Sequence, residues 1–104
     1  MTTGKNKEQF EEWYVNNDYE MMDLRSFYNS RFEMQIGVLL AYYDSLDQNI
    51  TVEPTFMDAD NGEMKWMYTI ESHAVGTGKC GWETRNEAYK EAFKKANELI
   101  NKDV

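Results

Sequence analysis

The sequence predicts an α+β domain in which two N-terminal helices precede an antiparallel β-hairpin covered by a long C-terminal helix. Three observations carry this. Apolar side chains recur every third or fourth position up to Leu46, every second position from Ile50 to Ile70, and at helical spacing again from Ala88. Helix-start signals precede the two long helical stretches, at Ser30 and at Thr84. Turn chemistry, Asp58-Ala59-Asp60-Asn61-Gly62, separates the two alternating runs. The 104 residues suit a single domain, 1–104, large enough to bury a core without metal or disulfide support.

Taken in order, residues 1–5 carry no pattern and are expected to be a disordered end. Asn6 is expected to cap the first helix, with Gln9 as its reciprocal partner. Phe10, Trp13 and Tyr14 then form one apolar stripe, while Glu8, Glu11 and Glu12 face water. Asn16-Asn17-Asp18 breaks the helix, and a short helical piece with Met21, Met22 and Leu24 follows. Ser30-Arg31-Phe32-Glu33 reads as a capping box opening a second long helix of about 16 residues. Phe32, Ile36, Leu39, Tyr43 and Leu46 are its core stripe, widened by Val38 and Leu40, and Asp47-Gln48-Asn49 ends it.

Ile50, Val52, Pro54 and Phe56 alternate with polar residues, which predicts a half-buried strand. Pro54 has no N–H to give, so this strand belongs at a sheet edge or carries a bulge. Met64, Trp66, Tyr68 and Ile70 predict the second strand of the hairpin, with Met64 in the core and Met67 on the opposite face. His73 to Gly81 reads either as a short third strand around Ala74-Val75 or as a glycine-loosened loop. Thr84-Arg85-Asn86-Glu87 is a second capping box, and Ala88, Tyr89, Ala92, Phe93, Ala96, Leu99 and Ile100 form the stripe of the last helix.

Composition narrows the function classes. Leu, Ile, Val and Phe make up only 19 of 104 residues, and seven Met, seven Tyr and three Trp supply the missing core mass. The net charge of −8 disfavours general phosphate-backbone binding. No apolar stretch is long enough to span a membrane, no leader opens the chain, and the single Cys80 fits a reducing cytoplasm.

The chemical motifs are weak. Gly76-Thr77-Gly78-Lys79-Cys80-Gly81 matches G-x-G-x-x-G, yet too little chain follows the last helix to complete a βαβ dinucleotide site. It is therefore expected to be a connecting loop. Asp58 to Glu63 resembles the start of a calcium loop, but its glycine comes one place early and no bidentate Glu closes it. His73 and Cys80 lack a third orienting residue for nucleophilic catalysis and are too few for a metal. No catalytic residue, cofactor or metal ligand is assigned, and a non-enzymatic protein is expected.

From Met34 onward, the hairpin, the glycine-rich approach and a final helix with Ala88, Ala92, Ala96 and Leu99 resemble the α-β-β-β-α order of double-stranded-RNA-binding domains. The resemblance implies topology only. Where that family opens its last helix with a lysine cluster, this chain has Thr84-Arg85-Asn86-Glu87. Gln9-Phe10-Glu11 with Trp13, Met34-Gln35-Ile36-Gly37-Val38, Tyr42-Tyr43-Asp44-Ser45 and Glu83 to Ala88 resemble a group of small uncharacterised proteins from phages and prophages of gut bacteria. That resemblance implies a bacterial cytoplasm and supplies no activity.

The leading expectation is an acidic interaction domain, a phage or prophage accessory factor that meets a protein partner. Residues 1–50 carry net −5 against −3 for residues 51–104. Its candidate surface is Glu8, Glu11, Glu12, Trp13 and Met67. The alternative is nucleic-acid binding through the last helix, using Lys79, Arg85, Lys90, Lys94, Lys95 and Lys102. These alternate with Glu83, Glu87, Glu91 and Glu98 at ion-pair spacing, so self-neutralisation is expected. A homo-oligomer joined at an unprotected strand edge, or through Trp13, Tyr14, Phe27 and Tyr28, is the third expectation.

Overall fold

The computed structural model describes residues 2–17, 23–58, 63–72 and 76–102. They form α1 (Gly4–Asn16), α2 (Leu24–Asn29), α3 (Phe32–Ser45), β1 (Asn49–Asp58), β2 (Glu63–Glu71), β3 (Gly76–Trp82) and α4 (Arg85–Lys102). The sheet is antiparallel in the order β1-β2-β3, with Ile50 opposite Ile70, Val52 opposite Tyr68 and Pro54 opposite Trp66. Pro54 thus lies on an edge strand, where its missing N–H costs least. Strand alternation turns Ile50, Val52, Trp66, Tyr68 and Ile70 to one face, and α4 lies across it with contacts to all three strands.

The closing helix keeps its predicted stripe: Ala88, Tyr89, Ala92, Phe93 and Ala96 are all buried. Its alanines allow the helix to approach the sheet, and Phe93 stacks on Tyr43 and Tyr89 at centroid distances of 5.9 Å each. Truncating Phe93 to Ala would cost about 3–5 kcal/mol, the usual range for a fully buried phenyl ring. The cap is as expected at one end, where the Glu87 N–H donates to Thr84 Oγ1 at 3.1 Å. The Glu87 carboxylate returns to the Glu83 N–H rather than to Thr84 itself.

The α+β architecture, the hairpin and a short helical piece between the two longer N-terminal helices agree with the sequence; that piece is α2, whose Phe27 is buried against Phe10 and Tyr14. Four local expectations do not agree. Asn6 does not cap α1. Thr3 stands at the N-cap, and Gly4 and Lys5 are already helical, so the patternless end at 1–5 is ordered from Thr3 onward. The reason is tertiary: the Thr3 N–H donates to Asn97 Oδ1 at 3.0 Å, and Asn101 Nδ2 donates to the Thr3 carbonyl. Ser30 does not cap α3 either. Its hydroxyl turns back and donates to the Phe27 carbonyl at 2.7 Å, which closes α2 and leaves Arg31 as an N-cap without a side-chain acceptor. Finally, Met64 is exposed although it shares the covered face, because it lies beyond Trp66 and α4 begins only at Arg85, just past the Trp82 opposite Trp66.

The glycine motif is a strand, not a loop. Gly76 to Trp82 pairs with β2 in register, Gly78 opposite Thr69 and Cys80 opposite Met67. Gly81, at φ 116°, is the extra residue of a bulge that resets the pairing to Trp66–Trp82. Gly78 is required by contact: a Cβ there would sit 3.0 Å from the Tyr68 carbonyl oxygen. Ala74 and Val75, the expected centre of a third strand, lie outside the described residues. At the end of α3, the Asp47 N–H reaches the Asp44 carbonyl and the Gln48 N–H reaches the Tyr43 carbonyl, with Asp47 left-handed at φ 61°.

The Cα envelope measures 49 × 31 × 18 Å. Its thinnest dimension suits one sheet backed by one helical layer. The other face of the sheet carries Thr51, Glu53, Met67, Thr69 and Cys80 and is uncovered by helices among the described residues. No helix among the described residues is long and apolar enough to cross a membrane.

Candidate functional site

Two concave regions gather side chains with chemistry. The first lies between α1 and the end of α3, where Gln9, Glu12, Trp13 and Asn16 face Tyr42 and Leu46 around a volume of about 320 Å³. Helical spacing puts Gln9, Glu12, Trp13 and Asn16 on one side of α1. The half-buried Trp13 ring lies 5.4 Å from Tyr42 and 6.2 Å from Phe10, which fixes its inner edge. Leu46, expected in the core, is 38% exposed at the mouth of this groove, and the neighbouring Val15 is 64% exposed.

The three predicted glutamates do not act as one patch. Glu12 is on the groove, and Glu8, one turn earlier, is exposed beside Lys5 at 3.8 Å. Glu11 turns toward α2 and accepts from the Tyr28 hydroxyl at 3.1 Å. Burial and then the Glu11 carboxylate push the Tyr28 phenol above its ordinary value. Met67 does not join them. It lies half-buried on the open sheet face between Glu53 and Cys80, whereas α1 packs on α3 and α4 in the helical layer. The strand alternation that covers Tyr68 necessarily turns Met67 away.

The second region lies between β3 and α4, a cavity of about 340 Å³ walled by Tyr68, Thr77, Lys79, Trp82, Glu91, Lys94, Lys95 and Glu98. Tyr68 and Trp82 form its flat wall, with rings 5° from parallel and centroids 6.4 Å apart. Lys79 Nζ stands 5.9 Å from the Trp82 ring centroid. Burial, then the carboxylates of Glu91 and Glu98, raise the Tyr68 phenol above its ordinary value. The Trp82 indole N–H is shielded from solvent and has no acceptor among the described residues. Self-neutralisation of the lysines is not what the structure holds. Ion pairs join Lys5 to Glu8 and Lys65 to Glu83, while Lys79, Lys94 and Lys95 form none among the described residues. The spacing rule identified which charges could pair; the cavity between the helix and β3 gives these lysines another place to go.

A third polar cluster is structural. Asn6 is fully buried; its amide donates to Tyr43 Oη at 3.0 Å and to Asn97 Oδ1 at 2.8 Å, and it accepts from Tyr42 Oη at 2.6 Å. Asn97 Nδ2 donates in turn to Thr3 Oγ1. Burial pushes the Tyr42 phenol up to about 12 and raises Tyr43 further. Both N–H positions of the Asn6 amide and one lone pair of its oxygen are thus engaged within the fold.

His73 lies outside the described residues, as do Ala59 to Gly62 of the expected turn, and Cys80 is exposed on β3. Among the described residues no three His, Cys, Asp or Glu side chains are grouped to hold a metal. The chain matches no protein family, no curated protein and no solved structure with which it was compared.

Proposed function

We infer that this chain is a small acidic, non-enzymatic protein-interaction domain that receives its partner in the groove between α1 and the end of α3. The carrying observation is the half-buried Trp13 at the floor of that groove, with Glu12 beside it and the exposed apolar Leu46 opposite. A large aromatic anchor ringed by polar groups is how protein contacts concentrate their binding energy. The net −5 of residues 1–50 sets the partner's chemistry: a basic surface that offers one apolar side chain to the groove. The resemblance to phage and prophage proteins supports an accessory role in a bacterial cytoplasm. Met67, on the far side of the sheet, takes no part in this contact.

Capture from bacterial lysate with the intact chain and with Glu12→Lys, at low and moderate salt, tests the reading. A partner lost both on charge reversal and on raising salt supports it. A partner held equally by the variant, or no partner at all, refutes it.

Duplex-RNA binding is a second reading, and the order α3-β1-β2-β3-α4 favours it. The start of α4 opposes it, with Arg85 the single cation beside Glu83 and Glu87. A gel shift with duplex RNA at low salt separates the two, since retarded bands would favour RNA over the protein partner.

A further inference from the structure

We propose that the cavity between β3 and α4 binds a small phosphate monoester, with the ammonium groups of Lys79, Lys94 and Lys95 holding the phosphate. The argument starts from charge. Three lysines and two glutamates line the cavity, a local excess of one positive charge in a chain of net −8. Glu91 precedes Lys94 and Lys95 by three and four residues, and Glu98 follows them by four and three, so intrahelical pairing was open to both lysines. Neither forms such a pair, nor does Lys79 across the gap, among the described residues.

Three cations share this wall with two carboxylates, none of them within ion-pair distance, so one positive charge stays unbalanced and an anion seated among the lysines gains charge-assisted hydrogen bonds. Phosphate suits the geometry because its oxygens can be shared among ammonium groups that approach from a strand on one side and a helix on the other. The remaining walls narrow the ligand further. Glu91 and Glu98 accept hydrogen bonds and repel a second anionic group, which favours an ester bearing hydroxyl or amino donors over a bare anion. Tyr68 and Trp82 offer a flat aromatic wall for a planar substituent. At about 340 Å³ the cavity is at the small end of ligand sites. The chain's overall negative charge discourages a polyanion at longer range.

The test is a titration of the intact protein with AMP, inorganic phosphate and adenosine, followed by amide and indole resonances in two-dimensional NMR. Saturable shifts with AMP in the millimolar range or below, confined to Thr77–Trp82 and Glu91–Glu98 and including the Trp82 indole N–H, are expected. Inorganic phosphate should bind the same residues more weakly, and adenosine weakest. The double variant Lys94→Gln with Lys95→Gln should lose about tenfold in affinity, and Lys79→Gln alone should also weaken binding. Lys102→Gln, the same charge change outside the cavity, should bind as the parent does. Non-saturating shifts spread over all lysines, equal loss in the Lys102 variant, or tighter salt-sensitive binding of a short RNA would each overturn the proposal.

Discussion

Asn6 has no exposed surface and three side-chain hydrogen bonds, all to residues more than thirty positions away. Asn6→Ala leaves Tyr42, Tyr43 and Asn97 each short of a partner, so a loss of about 2–4 kcal/mol is expected in urea unfolding. The sequence pointed elsewhere. Asn near a helix start is read as a cap, because capping is a local signal, whereas a buried amide network involves partners that no local pattern reveals. The same cluster sets an alkaline limit. The Tyr42 phenol rises to about 12 in the fold, against about 10 in the unfolded chain. Between those values the folded state holds more protons, so stability present below pH 10 falls as pH rises toward 12. Unfolding monitored by circular dichroism should show this fall, and phenolate absorbance should rise late, together with loss of structure. Tyr42→Phe should blunt the effect.

Elements differ in how openly the sequence announces them. β1 and β2 were legible because alternation is a direct consequence of one covered face, and α4 because its stripe repeats through eighteen residues. β3 was legible only as an alternative to a loop, since five of its first six positions offer no apolar side chain to alternate, and its pairing is decided by backbone contact. Gly78→Ala tests that point. A Cβ 3.0 Å from the Tyr68 carbonyl oxygen requires the β2 backbone to give by a few tenths of an ångström, so a loss of about 1–2 kcal/mol is expected despite the usual entropic benefit of alanine. Gly37 is the opposite case. It lies inside α3, where a Cβ would meet nothing within 4 Å, so Gly37→Ala should raise the thermal midpoint by stabilising the fold about 0.5–1 kcal/mol. The two capping boxes show why a motif is not a cap. Thr84 has only a strand end before it and caps α4, whereas Ser30 follows immediately on α2 and its hydroxyl satisfies that helix instead.

At the scale of the molecule, the candidate groove was half legible. Glu12 and Trp13 follow from the polarity of α1, but Leu46 and Tyr42 join them only because α1 crosses the end of α3. Met67 was grouped with them by chemistry alone, and the sheet lies between. The lysines of the second cavity were visible as charges but not as neighbours, since Lys79 comes from β3 and Lys94 and Lys95 from α4. Both regions depend on a single helical layer whose outermost members are held by contacts between residues nearly the full chain apart.

Thr3 is bonded to both Asn97 and Asn101, and the Asn6 N–H donates to Asn101 Oδ1 at 2.9 Å. A polypeptide whose first and last turns already touch can be read as a loop with one gap. Joining residue 102 back to residue 2 through a few glycines, and reopening the chain between Asp58 and Glu63, should yield a circular permutant with the parent's far-ultraviolet spectrum and a comparable melting point. A permutant that stays unfolded would mean that the order of synthesis, and not only the final set of contacts, governs how the two ends find each other.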